Sequence, residues 1–205
     1  MLKRQLVIFF LLLSLKADEN IPTFINQDIP TIKKKLKEVS IQKKYKKNKT
    51  LLHYAVEARN FNTVSFLVSQ KIFLSSQGGA YNNTALQDAI SYGYLKIAYY
   101  LIKKGTPLNI KNRYGQTALH IASAKSYRNI IKALLANGAD KSAIDNSGYR
   151  PYDLIAKLSF SSNREIEKLL QTRESIKEDK SYREYIFIDK KSEITNSHIG
   201  IQIKE

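Results

Sequence analysis

The chain's only imidazoles are His53, His120 and His198, and they are the first place to look for chemistry. Histidine titrates near neutral pH, so it can act as a general base, a proton shuttle or a metal ligand. There is no Cys, which excludes a thiol nucleophile, a disulfide and a zinc–cysteine site. His53 and His120 fall at the same place in two copies of one short segment, Thr50-Leu51-Leu52-His53-Tyr54-Ala55 and Thr117-Ala118-Leu119-His120-Ile121-Ala122. Two further copies start at Thr84 and Arg150, with Gln87 and Asp153 in the histidine's place. A slot that accepts His, Gln or Asp asks for a polar group and not for an imidazole. The expected role is structural, a hydrogen bond to backbone where one unit meets the next. If each unit adds about 10 Å, the usual separation of packed helices, the two rings lie roughly 20 Å apart and share no metal. The chain has no HExxH, no Walker loop and no GxGxxG, and Gly78-Gly79 is a loop signal only. It shows no paired carboxylates and no Ser-His-Asp set. No catalytic residue, metal site or cofactor is expected. An enzymatic reading would need an activity that depends on His198.

The elements that carry these residues repeat. The four segments start 34, 33 and 33 residues apart. A fixed period near that length predicts a stacked array in which each unit buries its apolar face against its neighbours. In the clearest unit, Thr84 to Gln116, Ala85, Leu86, Ala89 and Ile90 form the face of a first helix. Gly93 suits a left-handed end to that helix. Leu95, Ile97, Ala98, Tyr100 and Leu101 give a second apolar face at helical spacing, closed by Gly105 and Thr106-Pro107. The unit from Thr117 repeats this with Ile130, Ile131, Leu134, Leu135 and Gly138, although Ser126 replaces the first glycine. Two residues before each opening stand Asn48, Asn82, Gly115 and Gly148, the types that tolerate positive φ, so a tight turn is predicted there in every unit. The unit from Thr50 departs most, because Lys71-Ile72 stands where the others have Gly-Thr and Gly-Ala. A distorted, mobile loop is expected over Ser75–Tyr81.

The pattern resembles the ankyrin-repeat family, whose signature is Thr-Pro-Leu-His-x-Ala at a 33-residue period. The resemblance covers Asp28 to Gln171 and implies an all-α ankyrin-repeat solenoid, stacked helix-turn-helix repeats joined by β-turn fingers. It divides the chain at 18–49 (a degenerate N-terminal capping repeat and basic linker), 50–83, 84–116 and 117–149 (three repeats), 150–171 (a C-terminal capping repeat) and 172–205 (a charged tail). In the N-terminal cap, Asp28 is expected to start a helix bearing Ile32, Leu36 and Val39, while Pro22 interrupts any helix in Asn20–Asn26. In the tail, Tyr185–Ile188 and Ile199–Ile203 have strand character and read equally as a hairpin or as disordered chain. The resemblance also implies a non-catalytic scaffold for protein–protein interaction, binding through finger tips and a concave face. Carried over by position, that face holds Lys46, Lys47 and Lys49, then Tyr81, Asn83 and Tyr92, then Arg113, Tyr114, Gln116 and Lys125, then Ser147 and Tyr149. Tyr and Arg commonly anchor interfaces, and Arg113 and Tyr114 lie at the centre of the array.

Charge and the first residues suggest where such a scaffold works. The formal net charge of +16 is either a general Lys-rich bias or an attraction to acidic partners. The expected partner is a protein with an acidic patch. Lys33 to Lys49 holds nine Lys and supports an alternative, nucleic-acid or anionic-surface binding, but no base-reading motif accompanies it. Lys3 and Arg4 precede the apolar run Leu6–Leu15, and Ala17 precedes a polar stretch, the order of a signal peptide over 1–17. Leu15 is large for position −3 of such a cut, and an uncleaved anchor or a buried helix is the other reading. Cleavage would remove three cations and no acid, leaving +13. The run is shorter than the roughly 20 apolar residues of a membrane span. A periplasmic or secreted monomer with no transmembrane helix in its mature chain is expected.

Overall fold

A computed structural model describes residue 21, residues 25–36 and 40–156, and residues 168 and 170. Four short first helices stack side by side: α2 (Leu51–Glu57), α4 (Ala85–Ser91), α6 (Ala118–Ala124) and α8 (Pro151–Ala156). α2 touches α4, α4 touches α6, and α6 touches α8. Each of the first three is followed by a longer second helix, α3 (Phe61–Ser69), α5 (Leu95–Lys103) or α7 (Arg128–Ala136), which forms an outer layer. α1 (Ile29–Leu36) packs on α3 at the N-terminal end. The result is the all-α solenoid that the family resemblance implied.

Each first helix starts in the same way. The side chain three residues into the segment turns back to accept the N–H of the opening residue: His53 Nδ1 from Thr50 N at 3.2 Å, Gln87 Oε1 from Thr84 N at 2.7 Å, His120 Nδ1 from Thr117 N at 3.1 Å and Asp153 Oδ2 from Arg150 N at 2.8 Å. This is one half of a capping box, and it satisfies a donor that the helix leaves unpaired. Behind it Leu51, Leu52, Leu86, Ile90 and Leu119 are buried with Leu67, Leu101 and Ile131 of the outer layer in one continuous core.

The connections depend on left-handed backbone at three recurring places. The finger turn uses Asn48, Asn82, Gly115 and Gly148, all at positive φ as their residue types indicated. The first helix is followed by Arg59, Gly93 and Ser126 at φ 53°, 73° and 56°. The second is followed by Lys71, Gly105 and Gly138. Lys71 therefore adopts the glycine conformation at φ 59°, and Ile72 is buried as Thr106 and Ala139 are. The expected distortion after Lys71 gives way to order. Gln77–Gly78 (β1) pairs antiparallel with Asn83–Thr84 (β2), Gln77 opposite Thr84. Gly78 is needed because a Cβ there would lie 2.7 Å from the Asn48 carbonyl oxygen.

At the N-terminal end Asp28 accepts from Thr31 N at 3.1 Å and from Thr31 Oγ1 at 2.6 Å, capping α1 as expected. Those bonds hold its carboxyl below the usual range. Helix is present on both sides of Pro22. Ile21 and Ile25 are helical and fully buried, and Ile25 O accepts from Asn60 Nδ2 and Thr63 Oγ1, both at 3.0 Å. Beyond α8, Leu170 is helical and buried. The segment 1–17 expected to be a signal peptide, Val39, His198 and the tail from 172 lie outside the described residues.

Candidate protein-binding face

The fingers are tied together by their backbones before any side chain is considered. Gly79 N donates to Lys47 O at 2.8 Å, Arg113 N to Tyr81 O at 2.9 Å and Asn146 N to Tyr114 O at 3.0 Å. In the third and fourth fingers a buried Asx residue shapes the turn. Asn112 Oδ1 accepts from Tyr114 N and Gln116 N at 2.9 and 3.0 Å, and Asp145 Oδ1 accepts from Ser147 N and Tyr149 N at 2.8 and 3.0 Å. Sequence reasoning missed both, although Asn112-Arg-Tyr-Gly and Asp145-Asn-Ser-Gly share an Asx-to-Gly turn signature. Gly115 closes the third turn at φ 73°, and a Cβ there would sit 2.7 Å from Asn146 N.

This ladder puts Lys47, Tyr81, Tyr114 and Ser147, equivalent positions of four fingers, in an exposed row. Tyr81 and Tyr114 are 55% and 51% exposed, and their ring centroids lie 5.8 Å apart. Arg113 is exposed beside them, and its carbonyl accepts from Asn146 Nδ2 at 3.0 Å. Tyr92 and Lys125 occupy equivalent places at the ends of α4 and α6, and both are exposed. Lys46 is exposed too.

Four of the expected residues are placed differently. Asn83 is buried: its Nδ2 donates to Asp88 Oδ1 at 2.8 Å and its Oδ1 accepts from Asn112 Nδ2 at 3.0 Å. Its side chain is therefore scaffold and not surface, because it points into the seam between two fingers. Lys49 is half-buried and ion-paired to Glu57, with its ammonium 5.4 Å from the Tyr54 ring centroid. Gln116 and Tyr149 are half-buried, and their carbonyls bridge to the preceding repeat. Glu57 went unremarked in the sequence, yet it also accepts from Tyr92 Oη at 3.4 Å. Burial, with Asp88 and Glu57 nearby, pushes the Tyr92 phenol up to about 12, so it stays a neutral donor.

The polar side chains beneath this face are committed to structure. With Nδ1 of His53 accepting from Thr50 N–H, Nε2 carries the proton and donates to Asn83 O at 3.0 Å. His120 does the same to Tyr149 O at 3.1 Å, and Gln87 Nε2 to Gln116 O at 2.9 Å. Burial pushes both imidazoles down and keeps them neutral. Burial also pushes the Asp88 carboxyl up to about 6, against the Asn83 hydrogen bond that pulls it down. Among the described residues, no three His, Asp or Glu side chains come together as metal ligands. A shallow cleft lined by Ile102, Pro107, Leu108 and Asn137 holds no titratable side chain. No described helix is long and apolar enough to cross a membrane.

Two family descriptions match the chain: "Ankyrin repeats (3 copies)" over residues 23–112 and "Ankyrin repeats (many copies)" over 101–155. Among curated proteins, human protein phosphatase 1 regulatory subunit 27 is 37% identical over 71 residues, 35% of this chain and 46% of that protein. An ankyrin repeat-containing protein of Caenorhabditis elegans is 29% identical over 104 residues, 49% of this chain and 9% of its own length. The human transient receptor potential cation channel subfamily A member 1 is 34% identical over 99 residues, 47% of this chain and 9% of the channel. The chain thus spans less than half the length of each of these relatives.

Proposed function

From the ankyrin repeats that this chain carries across residues 23–155, we infer a non-catalytic scaffold whose finger tips and concave face hold an acidic protein partner. Ankyrin repeats generally mediate protein–protein interaction, and one relative is named as a regulatory subunit of a phosphatase. The observation that carries the reading is the exposed Tyr81–Tyr114 pair with Arg113 beside it. Two large rings standing out on a hydrogen-bonded backbone ladder can anchor a partner with little loss of side-chain freedom. Lys47, Arg113 and Lys125 are also exposed. The carboxylates near them are paired, as in Glu57, or buried, as in Asp88 and Asp145, so the face attracts acidic surfaces.

Affinity capture from the native envelope fraction, repeated with the Tyr81→Ala/Tyr114→Ala variant, tests this reading. A partner held by the wild type should be lost by the variant while the melting temperature stays unchanged. A partner held equally by both proteins places the binding elsewhere. The order of Lys3, Arg4, Leu6–Leu15 and Ala17 supports export, with a periplasmic or secreted monomer as the working form. Full-length protein confined to the cytosolic fraction would overturn that part.

A further inference from the structure

The outer layer carries an interaction surface of its own. Between Glu57 and Asp140 the sequence has one acidic residue, Asp88, and that residue is buried. The second helices α3, α5 and α7 contain no Asp or Glu at all. The same layer bears Lys71, Lys96 and Lys104, all exposed. These cations are interleaved with aromatic rings. The ammonium of Lys96 lies 4.7 Å from the ring centroid of Phe61 on the neighbouring helix. Lys103 lies 5.7 Å from Tyr99 and Lys104 5.4 Å from Tyr100. Phe61 in turn meets Tyr100 edge-on at 5.3 Å, which knits α3 to α5. Leu95 is 39% exposed on the same helix.

We propose that this outer layer docks on an anionic lipid bilayer, and that it does so independently of the finger tips. A layer of side-by-side helices offers a broad surface to another broad surface and not a groove to a strand. Exposed lysines whose ammonium groups sit over half-buried aromatic rings present cations and aromatic rings together, a mixture suited to an anionic headgroup region. The arrangement fits single-stranded nucleic acid poorly. Base stacking needs open ring faces, and here Phe61, Tyr99 and Tyr100 are half-buried with a cation over each. The surface lies on the second helices, away from the finger row, so one molecule can hold a membrane and a protein together.

Cosedimentation of the full chain with vesicles tests the proposal, comparing phosphatidylcholine alone with phosphatidylcholine containing phosphatidylglycerol. The wild type should sediment with the anionic vesicles only, and less so as salt rises. Lys71→Gln/Lys96→Gln/Lys104→Gln should weaken that binding on the order of a hundredfold, since each surface cation contributes about fivefold. The matching Lys→Arg triple should bind as the wild type does, which separates lost charge from lost fold. A control triple, Lys43→Gln/Lys46→Gln/Lys47→Gln, removes the same charge from the N-terminal stretch and should retain most of the binding. Three results would overturn the proposal: no preference for the anionic vesicles, equal losses in the two Gln triples, or an outer-layer triple that loses DNA retention at the same salt and keeps vesicle binding.

Discussion

His53 shows how a residue with catalytic potential becomes a building part. Both its ring nitrogens are spent, one on the start of its own helix and one on the next finger, and the ring is fully buried. His53→Ala should destabilise by about 2–4 kcal/mol, because a helix cap is lost and a buried N–H and carbonyl lose their partner. His53→Gln should cost less, since Gln87 fills the same slot with one bond back to its own Thr84 and two across to the next finger, at Ile110 O and Gln116 O. Chemical denaturation of the two variants checks the order. The same burial sets a pH response. Both histidines titrate below their ordinary value of 6.5 in the folded chain, so the unfolded chain takes up protons first. Their contribution is complete above 6.5 and declines as the pH falls below it. Asp88 works in the opposite sense. Raised from 3.8 to about 6, it is ionised at a cost at neutral pH, and that cost disappears as the pH falls through 6 towards 3.8. Asp88→Asn should therefore stabilise on the order of 2 kcal/mol at neutral pH and by nothing below pH 4. Urea midpoints over a pH series decide it, and a pH-independent difference would refute the buried carboxylate's role.

The helices and fingers are joined by left-handed residues, and here the sequence was legible only in part. Asn48, Asn82, Gly115 and Gly148 announced their turns by type, and the structure puts each at positive φ. Arg59, Lys71 and Ser126 did not, because packing of the helices on either side forces the backbone and the side chain has no say. Such positions are the price of keeping the period where glycine is missing. Lys71→Gly and Ser126→Gly should each stabilise by about 0.5–1 kcal/mol, the left-handed strain less the entropy of glycine, measured as a rise in melting temperature. Gly115→Val should destabilise by more than either gain, as it adds both strain and a clash with Asn146 N. Equal melting temperatures for Gly115→Val and wild type would remove the tight turn from the third finger. The exposure of Tyr81, Tyr92, Arg113, Tyr114 and Lys125 followed from the ankyrin resemblance carried over by position, since a fixed period returns a surface position to the surface. The placement of Asn83 and Lys49 did not. Phase gives the height of a residue in the stack, but whether its side chain turns outward depends on a partner in the adjacent finger or helix, Asn112 for one and Glu57 for the other.

At the scale of the molecule, each first helix packs on the first helices beside it and, in the three full repeats, on its own second helix, so the array is held by neighbours and not by a common centre. α4 and α6 have a first helix on both sides and nearly every side chain buried, whereas α2 and α8 have fewer such neighbours among the described elements. Opening one seam should therefore release what lies beyond it more than what lies before it. Leu119 is fully buried in α6, and Leu119→Ala should cost about 2–5 kcal/mol. Hydrogen exchange on that variant should show protection lost most in α6, α7 and α8, while α2 and α3, which keep their contacts with α1 and α4, retain more of theirs. The finger ladder opposes this separation, because Arg113 N to Tyr81 O and Asn146 N to Tyr114 O tie successive units along the opposite edge. Which tie is stronger is read directly from the pattern. A graded loss from α8 back to α2 means that helix stacking sets the cooperativity. A uniform loss from α1 to α8 means that the ladder makes the fingers one unit, and a nearest-neighbour description of this chain then fails.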